Sequence, residues 1–283
     1  MALLTLLTDF GLADYYVAAV KGTVLRLAPG SQVIDISHEV GAGDIRAAAF
    51  LLAAAVPSFP AGTVHLAVVD PGVGSRRRIL VAQSGGAMLV APDNGLLTPW
   101  LDGSGRGGAS GRPHLRAVER ADLFLAGPSR TFDGRDRFAP VAAYLLRGEP
   151  AAGLGPEIGD PVLLAGPPPR REPGLLAGTV AHIDRFGNLV TDIPAAWLPA
   201  ALPAGPRLPG LEAVVGGHSI SHLVTHYDEI PPEEAALLAG SLGTLELSAR
   251  GTALASLWKI KRGEPVCVRW RPQENAPATP RES

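Results

Sequence analysis

Residues 70–78 read Asp-Pro-Gly-Val-Gly-Ser-Arg-Arg-Arg and follow directly on an apolar run from Thr63 to Val69. The run reads as a buried strand. A carboxylate and three guanidinium groups therefore leave the sheet together at the carboxyl end of one strand. Open α/β sheets bind ligands at that edge. Asp70 and Arg77, across the Pro-Gly turn, have two readings. One is an ion pair that stabilises the loop. The other is a carboxylate kept ionised by a neighbouring arginine and able to orient a water.

Four further segments carry candidate chemistry. Thr8-Asp9-Phe10-Gly11 closes the first apolar run. Asp9 there suits either the vicinal hydroxyls of a ribose or the backbone N–H groups that open the next helix. The letters Asp-Phe-Gly also occur in the metal-binding turn of protein kinases. No Gly-rich phosphate loop or catalytic-loop Asn accompanies them here, so that reading fails. Asp14 reads as a helix N-cap. In Ala91-Pro-Asp-Asn-Gly-Leu-Leu-Thr-Pro99, Asn94 reads as a ligand contact or simply as part of a turn. Thr131-Phe-Asp-Gly-Arg-Asp-Arg-Phe-Ala-Pro140 sets charges and aromatics around a glycine before a helix. Capping by Asp136 accounts for part of it, while Asp133-Gly134 reads as backbone held close to something. Ile183-Asp-Arg-Phe-Gly-Asn188 reads as a hairpin turn, or as an amide beside an aromatic that suits a purine edge and face.

Two other patterns are set aside. His218, His222 and His226 recur every fourth residue, as metal ligands on a helix would. Gly216-Gly217 and the β-branched Ile220, Val224 and Thr225 argue against a helix there. Cys267 lies in a β-like run and no Gly-x-Ser-x-Gly elbow occurs, so no nucleophile is read.

The elements that must hold these residues alternate. Strands are expected at Ala2–Thr8, Gln32–Ile36, Thr63–Val69, Arg78–Gln83 and Ala87–Ala91. Helices are expected at Asp14–Leu27, Asp44–Val56 and Arg135–Arg147. Such alternation implies an α/β domain over 1–165 with a helix-flanked, mostly parallel sheet. Gly166 to Gly174 is Pro-rich and reads as a linker. Short β-rich runs at 178–183, 189–193, 211–215, 245–248 and 265–270 then imply a smaller, mainly antiparallel β domain over 175–270. Residues 271–283 are polar and Pro-rich and read as a disordered tail, and 103–111 as a surface loop.

Composition bounds the function. The chain has 283 residues, 46% hydrophobic and 18% charged, an ordinary globular balance. A net charge of -2 gives no reason to expect a nucleic-acid partner. A single cysteine excludes an internal disulfide framework and fits a reducing compartment, so a cytoplasmic location is expected. The N-terminus has no basic region ahead of its apolar run and does not read as a signal peptide. No apolar stretch is long enough to span a membrane.

Taken in order, Thr8-Asp-Phe-Gly, Val69-Asp-Pro-Gly-Val-Gly, Pro92-Asp-Asn-Gly-Leu-Leu, Thr131-Phe-x-Gly-Arg-Asp and Ile183-Asp-x-Phe-Gly-Asn resemble the S-adenosylmethionine hydroxide adenosyltransferase family, hydrolytic relatives of the adenosyl fluorinase and chlorinase. The resemblance runs from Leu4 to about Val268. It implies hydrolysis of S-adenosylmethionine to adenosine and methionine without cofactor or metal, and a homotrimer whose substrate lies between one subunit's N-terminal domain and its neighbour's C-terminal domain. It makes Asp9 the ribose-hydroxyl acceptor. Asp14 and Ser241, with Asp184 nearby and Leu242 following, are placed at the methionine end. Phe186, Asn188 and Tyr227 are placed at the adenine, with Phe132 and Gly134 also lining the site. Asp70 and Arg77 match two members of the family's water-activating set. The third is a histidine, and here that position is Asp133. Leu242 stands where the halogenases have Arg, and Ser248-Ala-Arg-Gly251 replaces an Asn-containing stretch. The halogenases carry Tyr where this chain has Asp70, so a carboxylate there favours water over halide.

Overall fold

The apolar run at the N-terminus forms a central strand because both of its faces are covered. A computed structural model describes residues 2–102, 113–126, 131–199 and 210–270. Strand β1 (Leu3–Thr8) sends Leu4 and Leu6 into one apolar cluster and Leu7 into another. That is why it reads as continuous rather than alternating hydrophobicity. Around it lie β2 (Gln32–Ser37), β3 (Val64–Val68), β4 (Ile79–Ser84), β5 (Ala87–Pro92) and β6 (His114–Ala117) in the order β2-β1-β3-β5-β4-β6. Pairings among β1, β2, β3 and β5 are parallel, whereas β4 runs antiparallel to both β5 and β6. The expected mostly parallel, helix-flanked sheet is what forms.

The helices are α1 (Tyr16–Leu27), α2 (Ile45–Ala55), α3 (Thr98–Leu101) and α4 (Ala139–Leu146). Helices α1 and α4 contribute Val20, Val24 and Val141 to the Leu4 cluster, and α2 contributes Ala48 and Leu52 to the Leu7 cluster. The chain divides into two units, Met1–Ala165 and Gly166–Ser283. In the second, β7 (Arg170–Glu172), β8 (Leu175–Ile183), β9 (Leu189–Pro194), β10 (Glu212–Val215), β11 (His218–Ile220), β12 (Ala235–Ala239), β13 (Thr244–Ala249) and β14 (Pro265–Arg269) pair antiparallel. A short helix α5 (Leu254–Trp258) packs Leu254 and Ala255 on that sheet's core.

Several local expectations are corrected. Asp14 does not cap α1: the cap position is Tyr15, without a side-chain bond, so the helix starts later than the acidic signal suggests. Asp136 caps nothing either. It sits inside a π-helical segment, Gly134–Phe138, and pairs with Arg135. The Pro-rich linker stretch contains β7, whose exposed polar residues are strand only because their backbone pairs with β8. Gly216 and Gly217, both at positive φ, form the turn that joins β10 to β11. A Gly-Gly hairpin signal was therefore present where the sequence was read only as a helix breaker. Segments 103–111 and 271–283 lie outside the described residues.

One core group makes a prediction. His65 is buried on β3, with Nδ1 2.8 Å from the Thr5 hydroxyl of β1. Burial disfavours its charged form and pushes its pKa down from 6.5 to about 4. The unfolded chain then binds a proton that the folded chain does not, so stability is full above the unfolded value and falls as pH drops through the window between the two. Urea unfolding at pH 7 and pH 4.5 is expected to show this loss, and His65→Gln to shrink it by about 1–3 kcal/mol. An unchanged pH dependence in the variant would contradict the assignment.

Candidate active site

In the first unit, the turns that follow β1 and β3 carry the acidic residues. Asp9 does not cap a helix. Its Oδ2 accepts from the Gly43 N–H at 2.8 Å. The turn holding it is braced from His38, whose Nδ1 lies 2.8 Å from the Thr8 hydroxyl and whose carbonyl accepts from Gly11 N–H at 2.8 Å. A Cβ on Gly43 would lie 3.6 Å from Pro71, so the segment that binds Asp9 also abuts the turn after Asp70. Asp14 is exposed ahead of α1.

Asp70 leaves the sheet with its backbone fixed. Asn94 donates from Nδ2 to the Val69 carbonyl at 2.9 Å and so buttresses the turn at Asp70. Gly72 N–H donates to Asp70 Oδ1 at 3.2 Å. The three arginines then part company. Arg76 is exposed, while Arg78 clamps Asp93 and Asp160. Arg77 turns inward: Nε donates to Asp70 Oδ2 at 2.5 Å, and Nη2 contacts both that oxygen and Asp133 Oδ2, the latter at 2.7 Å.

The three side chains are only 8%, 5% and 3% exposed for Arg77, Asp70 and Asp133. Burial works against the arginine's charge, but bonds to the two carboxylates and their charges outweigh it and hold its pKa above the ordinary value. Its carbon centre also lies 5.2 Å from the Phe138 ring centroid. The remaining nitrogen, Nη1, is buried and has no acceptor among the described residues.

Asp133 immediately precedes the π-helical segment, a distortion that often marks functional positions. Its neighbour Gly134 is buried, and a Cβ there would come within 3.2 Å of the Phe10 ring. Close approach, rather than a special φ, is what favours glycine there. Phe132 stands edge-on to Phe10 and Tyr16, with centroids 6.0 and 5.1 Å away. Asp70, Arg77, Asp133, Phe132 and Gly134 thus gather at one place. The two carboxylates each bind Arg77.

The second unit holds the other candidates in two turns and a hydroxyl network. Asp184 Oδ1 accepts from the Phe186 and Asn188 N–H groups at 2.9 Å each, and Oδ2 accepts from Asn188 Nδ2 at 2.9 Å. This closes the β8–β9 hairpin with Phe186 fully presented, at 75% exposure. Gly187 has φ +85°, and a Cβ there would sit 2.6 Å from Ala253. Tyr227 donates its hydroxyl to Glu246 at 2.7 Å, and Ser248 donates to the same oxygen at 2.9 Å. Burial first, then Glu246 and the charge of Asp184, push the Tyr227 pKa up to about 12. Ser241 and Leu242 are exposed in the β12–β13 turn. The three histidines separate: His218 stacks on Trp258, His222 pairs with Glu234 and His226 with Glu229.

Sequence reading missed Glu246, Arg137 and Phe10. For Glu246 a signal existed, a lone acid in the alternating run Leu245-Glu-Leu-Ser248, and it is 5% exposed.

The chain matches the model of the SAM hydroxide adenosyltransferase N-terminal domain over residues 4–155 and that of the C-terminal domain over 178–267. It is 39% identical over 264 residues to a protein of Salinispora arenicola (strain CNS-205) named (R)-S-adenosyl-L-methionine hydrolase, covering 92% of this chain and 95% of that one. It is 27% identical to a fluorinase of Actinoplanes sp. (strain N902-109), covering 94% and 97%. Among solved structures, a conserved protein of unknown role from Thermotoga maritima superimposes with a TM-score of 0.83 at 31% identity, covering 94% and 99%. By these matches along both units, the chain belongs to the SAM hydroxide adenosyltransferase family.

Proposed function

We propose that this chain is an enzyme that hydrolyses S-adenosyl-L-methionine to adenosine and L-methionine. Water attacks the ribose C5′ and passes a proton to the adjacent carboxylates Asp70 and Asp133 and so to solvent; the C5′–S bond breaks and the sulfonium leaves as the neutral thioether of methionine. The observation that carries the reading is Arg77, a buried guanidinium held by two carboxylates with Nη1 still open to an acceptor. Asp70 and Asp133 accept hydrogen bonds from a water and Arg77 fixes their directions. Positioning supplies much of the rate. As the sulfonium becomes a thioether, positive charge is dispersed. A water-poor site then strengthens the pull of the carboxylates on the reacting water.

The names of the similar (R)-S-adenosyl-L-methionine hydrolases support the substrate and the reaction. Asp9 takes the ribose hydroxyls and Phe132 and Gly134 line the reacting end. Asp14, Asp184, Ser241 and Leu242 attend the methionine end. Phe186, Asn188 and Tyr227 receive the adenine. The assembly is a homotrimer, and no cofactor or metal takes part. Light scattering of the purified protein tests the trimer.

Purified protein incubated with S-adenosyl-L-methionine, with and without chloride, is expected to form adenosine and methionine at equal rates in both. Chloride-dependent formation of 5′-chloro-5′-deoxyadenosine would replace this reading with halide transfer. Tight ligand binding without adenosine would replace it with a non-catalytic binder.

A further inference from the structure

The buried cluster contains two carboxylates, and one arginine is bonded to both. A single cation leaves such a set with a net negative charge, which is costly in a poorly solvated place. A second arginine reaches it. Arg137 Nη1 lies 3.3 Å from Asp133 Oδ2, four residues on along the same segment. Its side chain is 21% exposed, and its guanidinium is set 4.6 Å from the Phe124 ring centroid, which fixes its direction. The remaining charged side chains of this segment, Arg135 and Asp136, are engaged with each other. Arg137 therefore completes a set of two acids and two arginines.

We propose that Arg137 is a positioning residue for the hydrolysis: it acts through Asp133, neutralising the second carboxylate so that Arg77 can serve Asp70 and the reacting water. Asp133 Oδ2 collects Arg77, Arg137 and, at 3.5 Å, the Gly74 N–H. With Oδ2 so occupied, Oδ1 is the oxygen that accepts from water. The inference rests on the proposed hydrolysis for its kinetic half only.

The consequence is a split between binding and turnover. Without Arg137 the cluster is net negative and attracts the cationic sulfonium more strongly in the ground state. That attraction weakens as the sulfonium charge disperses, so it stabilises the substrate more than the transition state. Arg137→Met is therefore expected to lower kcat by roughly tenfold with KM unchanged or lower, and Arg137→Lys to recover most of the loss. A merely structural role would raise KM instead, and that result would overturn the proposal.

Thermal unfolding supplies a readout that needs no turnover. Arg137→Met is expected to lower Tm in the native sequence and to lower it by less than half as much in the Asp133→Asn background. Additive shifts would mean that Arg137 does not serve Asp133, and would overturn the proposal whatever the kinetics. Coupled shifts with unchanged kcat would make the pair purely structural and overturn it equally. Absence of adenosine from the native protein would instead overturn the proposed hydrolysis, while the unfolding cycle still decides whether Arg137 compensates Asp133.

Discussion

Asp70→Asn is expected to lower adenosine formation by about 10²–10⁴-fold while the protein stays folded. The amide keeps the shape of the carboxylate and its turn, in which Gly72 N–H and Arg77 surround the two oxygens. What it removes is the negative charge and one acceptor. If Asp70 takes a hydrogen bond from the attacking water, that loss falls on the transition state, so kcat drops and KM moves little. Stability is cushioned because Arg77 keeps its bond to Asp133 at 2.7 Å. Steady-state kinetics beside a melting curve measure both. A variant with kcat within a few fold of the native enzyme would return Asp70 and Arg77 to the plain loop ion pair. The same substitution removes the charge that opposes an incoming halide. Any chloride-dependent product should therefore rise in the variant rather than in the native chain.

The reach of the sequence followed the distance over which each interaction acts. Asp70 and Arg77 were legible because one Pro-Gly turn joins them, and the strand before it is marked by its own hydrophobicity. Asp184, Phe186 and Asn188 were legible for the same reason, being one hairpin. Asp133 was suspected from its glycine neighbour, but its bond to Arg77 spans 56 positions and is set by how the π-helical segment packs against the strand ends. Arg137 belongs to that same segment. In a regular helix it would read as an ordinary solvated arginine, and only the presence of a second buried acid gives it a partner. Glu246 went unread because strand alternation predicts which face a residue takes, not that a tyrosine hydroxyl and a serine will meet an acid there. The capping signal at Asp14 misled because the helix begins beyond it, with Tyr15 at the cap position, and that at Asp136 because an Asp side chain caps only where it has no other partner. Arg135 offered Asp136 one.

Arg77→Met makes the most severe test, because it removes what both acids share. Asp70 and Asp133 are nearly inaccessible, and in the variant, among the described residues bonded to this cluster, Arg137, at 3.3 Å from Asp133, is the cation that remains to balance them. Breaking a buried pair by deleting one partner typically costs about 3–5 kcal/mol, because it leaves a buried charge without its compensation. Denaturant unfolding of both proteins at pH 7 is expected to show this deficit. Arg77→Lys should fall between the two. It keeps the charge but loses the planar fork that lets Nε and Nη2 serve one acid while Nη2 also reaches the other. Turnover should fall by at least about 10²-fold in Arg77→Met, because the water loses both its donor and the fixed direction of its acceptors. A stable, active Arg77→Met protein would mean that the two carboxylates never depended on a common cation, and the water site would have to be sought elsewhere in the fold.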